Sequence, residues 1–179
     1  KDNIEDGRKD MYELMGVACY NTEKVLYEFL KNGFVARGAI TYGDLFYDNE
    51  KNIWFGPAMN RAYFLESNQA IFPRVIIDPE YAEKLFEFNE NKYRSNNEQK
   101  MFNGKILCRD EDGFIYLNYL NKGKIGIINQ MEYMNVVEAA LQLCDMERNK
   151  TRKTEKMRQS IKIKYDWLEK YLLIPNNML

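Results

Sequence analysis

Residues 37–66, RGAITYGDLFYDNEKNIWFGPAMNRAYFLE, carry the strongest local signals in the chain. Residues 37–47 mix small, β-branched and aromatic side chains, and residues 53–55 form a second short apolar segment. Between them, the Asp, Asn and Glu of residues 48–50 are typical of a turn. This order predicts two strands joined by a hairpin.

A helix is predicted directly after this hairpin. Gly56 ends the second strand, and Pro57 suits the first position of a helix because its missing N–H would have no intrahelical partner. We therefore expect a helix over residues 58–68, with free N–H groups at its start beside the strand end. Such a helix start can hold an anionic oxygen.

The segments around this stretch alternate between helical and strand patterns. From Met11 to Lys31, apolar residues recur at helical spacing, which predicts an amphipathic helix, and two further helices are expected after residue 130. We expect an α+β fold in which a mostly antiparallel sheet packs against helices 11–31 and 58–68. The predicted strands cover about residues 34–47, 53–55, 71–77, 105–109 and 114–119.

Residues 110–113, Asp-Glu-Asp-Gly, separate the last two predicted strands. Their acidic character is reminiscent of a calcium-binding loop. The glycine stands at the wrong offset for an EF-hand, however, and no glutamate closes the loop. A plain hairpin turn is the better interpretation.

The composition narrows the function classes. The chain has 179 residues, of which 45% are hydrophobic and 14% aromatic, enough for one domain with one core. Its net charge of -1 argues against a general nucleic-acid binder, which would carry a basic excess. No apolar run reaches the roughly 20 residues of a membrane helix, and no signal peptide is evident. We therefore expect neither a nucleic-acid partner nor a membrane partner.

The cysteine and histidine content excludes further classes of protein. Three cysteines, Cys19, Cys108 and Cys144, are scattered without CxxC spacing. This pattern favours free thiols in a reducing compartment, and hence a cytoplasmic location. The chain has no histidine, which removes Ser-His-Asp and Cys-His hydrolases and most zinc enzymes.

Residues 37–66 also resemble a known family. The order RxGIxxG, a hairpin and GxxxNxAxRLE is similar to the second half of the catalytic core of class III nucleotidyl cyclases. Together with FPRVIID at residues 72–78, it is closer still to the bacterial pyrimidine cyclases of anti-phage defence, which make cyclic UMP or cyclic CMP. The residues at the corresponding spacings are Arg37, Ala39, Ile40, Gly43, Gly56, Asn60, Ala62, Leu65 and Glu66.

The resemblance implies an enzyme that converts a nucleoside triphosphate, UTP or CTP, into a 3′,5′-cyclic monophosphate and pyrophosphate. Such enzymes use Mn²⁺ or Mg²⁺, and they act as homodimers because each site lies between two protomers. Their two metal-binding aspartates would fall before Lys1, so no metal ligand is expected in this chain. The single domain 1–179 would then be the C-terminal part of a cyclase catalytic domain, with a polar leader (1–10), a cyclase-like core (11–120) and C-terminal helices (121–179).

The same resemblance supplies the candidate site residues. Asn60 matches the asparagine that orients the ribose and the attacking oxygen, and it is the candidate catalytic residue. Phe64 stands one turn later, where the family has a phosphate-stabilising arginine. Arg61 is an alternative donor but points about 100° away from Asn60 around the helix. Ile53 replaces the aspartate that reads adenine in adenylyl cyclases, and with Gly56, Arg61 and Phe64 it is a candidate substrate-binding residue.

The sequence is compatible with two functions. The chain is either part of an active nucleotidyl cyclase or a cyclase-fold relative that has lost activity and serves as a nucleotide-sensing or dimerisation module. The first is favoured by the match at Asn60. The second is favoured by Phe64, because a phenyl ring cannot donate a hydrogen bond to phosphate.

Overall fold

The computed structural model describes residues 2–95, 106–120, 130–151 and 154–173. The helices are α1 (Asp2–Lys31), α2 (Pro57–Asn68), α3 (Pro79–Ser95), α4 (Gln130–Asn149) and α5 (Glu155–Leu173). The strands are β1 (Gly38–Ile40), β2 (Phe46–Asp48), β3 (Ile53–Phe55), β4 (Val75–Ile77), β5 (Leu107–Arg109) and β6 (Ile115–Leu117). The fold class is α+β, as the sequence predicts.

Four short strands form the main sheet in the order β1-β4-β6-β5. β1 runs parallel to β4, with Gly38 opposite Val75, and α2 lies in the connection between them. The pairings of β4 with β6 and of β6 with β5 are antiparallel. The main sheet of the described residues is therefore mixed, with antiparallel pairings in the majority.

β2 and β3 form a separate two-stranded antiparallel sheet, in which Phe46 lies opposite Phe55. The carboxylate of Asp48 closes their turn by accepting hydrogen bonds from the backbone N–H groups of Glu50 and Lys51, both at 3.0 Å. The predicted hairpin is thus confirmed. It does not join the main sheet, however, and the expectation of one sheet containing all the strands was wrong.

Several predicted strands are shorter in the structure. The segment 34–47 is divided, because only β1 pairs with β4 and the chain then leaves the main sheet before β2. In the segment 71–77 only β4 is a strand, since Pro73 has no N–H to donate to a neighbouring strand. Of the predicted strand 105–109, residue 105 lies outside the described residues.

The helices agree with the predicted pattern but extend further. α1 begins at Asp2 rather than Met11, so residues 2–10 of the predicted polar leader belong to the helix. α2 matches the predicted helix 58–68 with Pro57 added at its start. Within the described ranges, no helix combines the length and the apolar character that crossing a membrane requires.

The core lies on both faces of the main sheet, because β4 and β6 are buried along their whole length. On one face, Tyr116 of β6 packs edge-to-face against Trp167 and Tyr171 of α5. The hydroxyl of Tyr171 donates to the side chain of Asn118 at 2.8 Å and accepts from the N–H of Leu120 at 2.9 Å. α5 is therefore fixed to β6 and to the residues that follow it.

Candidate functional site

The start of α2 lies against the loop that leads into the hairpin. Gly56 has a φ of 148°, and a Cβ at this position would approach the carbonyl oxygen of Asp44 to 2.7 Å, so only glycine fits here. The same carbonyl accepts a hydrogen bond from the N–H of Ala58 at 3.2 Å, and the N–H of Asn60 donates to Gly56 at 3.1 Å. Fewer free N–H groups therefore remain at this helix start than the sequence indicates.

Asn60 and Phe64 lie one turn apart and are both exposed. In the described part of the chain no hydrogen bond involves the side chain of Asn60, so its amide is available to a ligand. Phe64 is 47% exposed, and its ring centroid lies 5.8 Å from the guanidinium carbon of Arg61. The structure thus brings the candidate catalytic residue and the aromatic side chain together on one solvent-facing surface.

Arg61 points away from Asn60 and forms an ion pair with Asp78, which is fully buried. Its Nε and Nη2 atoms donate to the two carboxylate oxygens of Asp78, at 2.9 and 2.7 Å. The hydroxyl of Thr41 donates to the same carboxylate at 2.7 Å, and the N–H of Glu80 donates to it at 3.2 Å at the start of α3. Phosphate binding by Arg61 would require it to leave this pair.

The hairpin beside α2 carries stacked aromatic pairs. Phe46 stacks on Phe55 with ring centroids 5.6 Å apart, and Tyr47 stacks on Trp54 at 4.3 Å. Because neighbouring residues of a strand point to opposite faces, both faces of the hairpin carry such a pair. Exposed apolar surfaces of this kind mark contact sites. The side chains of this hairpin surface, all exposed, are Tyr42, Leu45, Phe46, Tyr47, Ile53, Trp54, Phe55, Met59, Tyr63 and Phe64.

A second polar cluster, which the sequence reasoning missed, surrounds Arg74 just before β4. Arg74 is fully buried, and its two terminal nitrogens donate to the carboxylates of Asp110 and Asp112. The indole N–H of Trp167 donates to Asp110 at 2.7 Å. Residues 110–113 form the predicted turn, and its two aspartates neutralise a buried cation.

Four aromatic rings surround the guanidinium of Arg74, within the range of cation–π attraction. Burial lowers the pKa of Arg74, and the hydrogen bond to Asp112 opposes this shift. The signal in the sequence was an arginine inside the otherwise apolar run IFPRVIID, because a buried charge requires a partner. The rings, whose centroids lie 5.0 to 5.8 Å from the guanidinium carbon, are those of Phe72, Phe114, Tyr116 and Trp167.

The described residues do not fit the divalent cation that the family resemblance implies. In these ranges no group of three or more acidic or cysteine side chains converges on one point. The buried carboxylate of Asp78 is paired with Arg61, and the partly exposed carboxylates of Asp110 and Asp112 share Arg74. A hard cation needs several free oxygen ligands. A metal ion could bind at Asp78 only if Arg61 moved away, and at Asp110 and Asp112 only if Arg74 moved away.

Comparison of the chain with known proteins finds no relative. No protein-family model matches the chain, and neither a curated protein nor a solved structure matches it. The structure defines an α+β protein with a group of exposed apolar side chains beside the start of α2. Its function is therefore inferred from the residues at that place.

Proposed function

We propose that the chain is part of a metal-dependent nucleotidyl cyclase, which closes UTP or CTP into a 3′,5′-cyclic monophosphate and releases pyrophosphate. The product would serve as a signal in anti-phage defence. The observation that carries the proposal is the pair of Asn60 and Phe64, which face solvent together on α2 beside the hairpin surface. The metal-binding aspartates would lie upstream of Lys1.

The exposed residues suit this reaction in distinct ways. The ribose 3′-hydroxyl must face the α-phosphorus, and the free amide of Asn60 would hold the ribose in that orientation. Phe64 has no donor, but its ring offers a flat apolar surface on which a base or ribose can pack. Ile53, also exposed, presents no hydrogen-bonding group to a base. A site of this kind would select its base by shape, which is consistent with a smaller, pyrimidine base.

We propose that the active form is a homodimer in which the hairpin surface of one protomer contacts its partner. Two-stranded hairpins are at best marginally stable alone in water. This hairpin nevertheless exposes an aromatic pair on each face, with Phe46 55% and Trp54 52% exposed. A second copy would bury these rings and place the neighbouring Asn60 at the contact between protomers.

Asn60→Ala is expected to lower cyclase turnover by about 10²-fold, the usual loss when one preorganised donor is removed from a reacting centre. The assay incubates the intact protein with each of the four nucleoside triphosphates and Mn²⁺ and measures cyclic nucleotide. Asn68→Ala is the matched control, because Asn68 lies at the other end of α2, where its amide donates to the carbonyl of Phe64 at 2.8 Å. Equal turnover in the Asn60 variant and the wild type would show that the reaction does not use this face of α2.

Trp54→Glu is expected to raise the dissociation constant of the dimer by about thirtyfold or more, since a tryptophan at the centre of an interface contributes at least about 2 kcal/mol. Sedimentation velocity over a dilution series measures this constant. Met157→Glu is the control, because Met157 is 50% exposed at the start of α5 and is not part of the hairpin surface. If both variants dimerise equally, the contact lies elsewhere.

Two observations favour the second function, a nucleotide-sensing or dimerisation module without catalytic activity. Arg61 is bound to Asp78, and Phe64 cannot replace the arginine that stabilises phosphate in the family. The Mn²⁺ assay separates the two functions when it is paired with calorimetric titration of the same nucleotides. Binding without turnover for all four nucleotides would select the sensing module.

A further inference from the structure

A cavity of about 240 Å³ lies at the opposite end of α2 from Asn60. It is formed by residues 35–37, which lead into β1, by Ile71 and Pro73, which lead into β4, and by one side of α5. Its volume is below the roughly 300–1,000 Å³ of sites for drug-sized ligands. The cavity therefore suits a small molecule.

The cavity carries one uncompensated positive charge. Arg37 lines it, but Nε of Arg37 pairs with Glu66 at 2.7 Å. Lys164 also lines it and is half-buried, and within the described ranges no acidic side chain pairs with it. By contrast Lys162, on the same helix, pairs with Asp166 at 3.9 Å. The charges of Arg37, Glu66 and Lys164 therefore add up to a single positive charge.

The rest of the lining is mainly apolar. Val35, Ile71 and Ile161 contribute aliphatic walls, and Ile71 is 53% exposed although it is a large apolar residue. A ligand with an apolar body would cover these walls and gain the free energy of removing them from water. Beside such walls, an ammonium group attracts an anion more strongly than it does in open water.

We propose that this cavity binds a small organic monoanion with an apolar body, such as an aromatic carboxylate, whose charged group contacts Lys164 and whose ring packs between Ile71 and Ile161. The site is separate from the proposed cyclase site. None of Ile53, Gly56, Asn60, Arg61 and Phe64 lines the cavity. Its Arg37 pairs with Glu66, about 9 Å along α2 from Asn60. The inference therefore does not rest on the proposed function.

Benzoate is the probe, and the 179-residue chain labelled with ¹⁵N is titrated with it. The expected result is a saturable shift of the amide signals of Ala36, Ile71 and Ile161, with no shift at Asn60. Benzamide keeps the ring without the charge, and inorganic phosphate keeps a charge without the ring. Each should bind at least about tenfold more weakly, because each lacks one of the two contributions.

Lys164→Gln is expected to weaken benzoate binding at least about tenfold, the effect of losing a hydrogen bond to a charged group. Lys162→Gln is the matched control, since it removes the same charge from the same helix at a side chain that is 69% exposed, and it should leave binding unchanged. Lys164→Arg should retain binding. Equal affinity in the two glutamine variants, or no saturable shift in the wild type, would overturn the proposal.

Discussion

Replacement of Arg74 by methionine is expected to lower the free energy of unfolding by about 3–5 kcal/mol, the cost of removing one partner from a buried ion pair. Methionine replaces the guanidinium with an unbranched apolar side chain, which suits the surrounding aromatic rings. It leaves the carboxylates of Asp110 and Asp112 without their cation, however. Their side chains are only 16% and 35% exposed, so water compensates in part. Urea denaturation followed by tryptophan fluorescence, to which Trp167 in this cluster contributes, measures the loss.

Arg109→Met is the matched control for this variant. Arg109 donates to both carboxylate oxygens of Glu83, at 2.7 and 2.6 Å, but both side chains are largely exposed. Exposed ion pairs contribute little, so this variant should keep nearly the stability of the wild type. Adding Asp110→Asn and Asp112→Asn to Arg74→Met should recover most of the lost stability, because no unpaired charge remains. If the two methionine variants lost equal free energy of unfolding, the buried ion pairs of Arg74 would not stabilise the fold more than an exposed pair does.

The second large effect is expected at Asp78, with a defined dependence on pH. Burial alone would raise the pKa of this carboxyl, but hydrogen bonds from Arg61, Thr41 and the N–H of Glu80 outweigh burial and hold the pKa below its ordinary value of 3.8. The unfolded chain has the ordinary pKa and therefore binds the proton more tightly than the folded chain. The contribution of Asp78 to stability is complete above about pH 5 and is lost as the pH falls through the lowered pKa of the folded state.

Asp78→Asn is expected to lower the free energy of unfolding by about 3 kcal/mol at neutral pH, because Arg61 loses its counter-charge. The value lies at the lower end for buried pairs since the side chain of Arg61 is 40% exposed. Below about pH 4 the difference from the wild type should shrink, as the wild-type carboxyl takes up its proton. Denaturant titrations over a pH series measure both effects, with Glu83→Gln as the exposed control. A difference that stays constant into acid would show that the charge of Asp78 does not stabilise the fold.

The sequence by itself determined the elements that depend on near neighbours. Asp48 closes the hairpin turn by accepting from residues two and three positions later, and Pro57 begins α2, so the turn and the helix were predictable. The common face of Asn60 and Phe64 follows from helical periodicity, as does the divergence of Arg61.

Only the tertiary structure decided which segments are buried and which distant charges meet. Residues 53–55 have the composition of a buried strand, yet all are exposed because β3 pairs with β2 and not with the main sheet. Arg74 meets Asp110 across 36 positions, and Arg61 meets Asp78 across 17. Periodicity describes one helix or strand at a time. These contacts depend on how separate elements pack together, and no local pattern of residues specifies that packing.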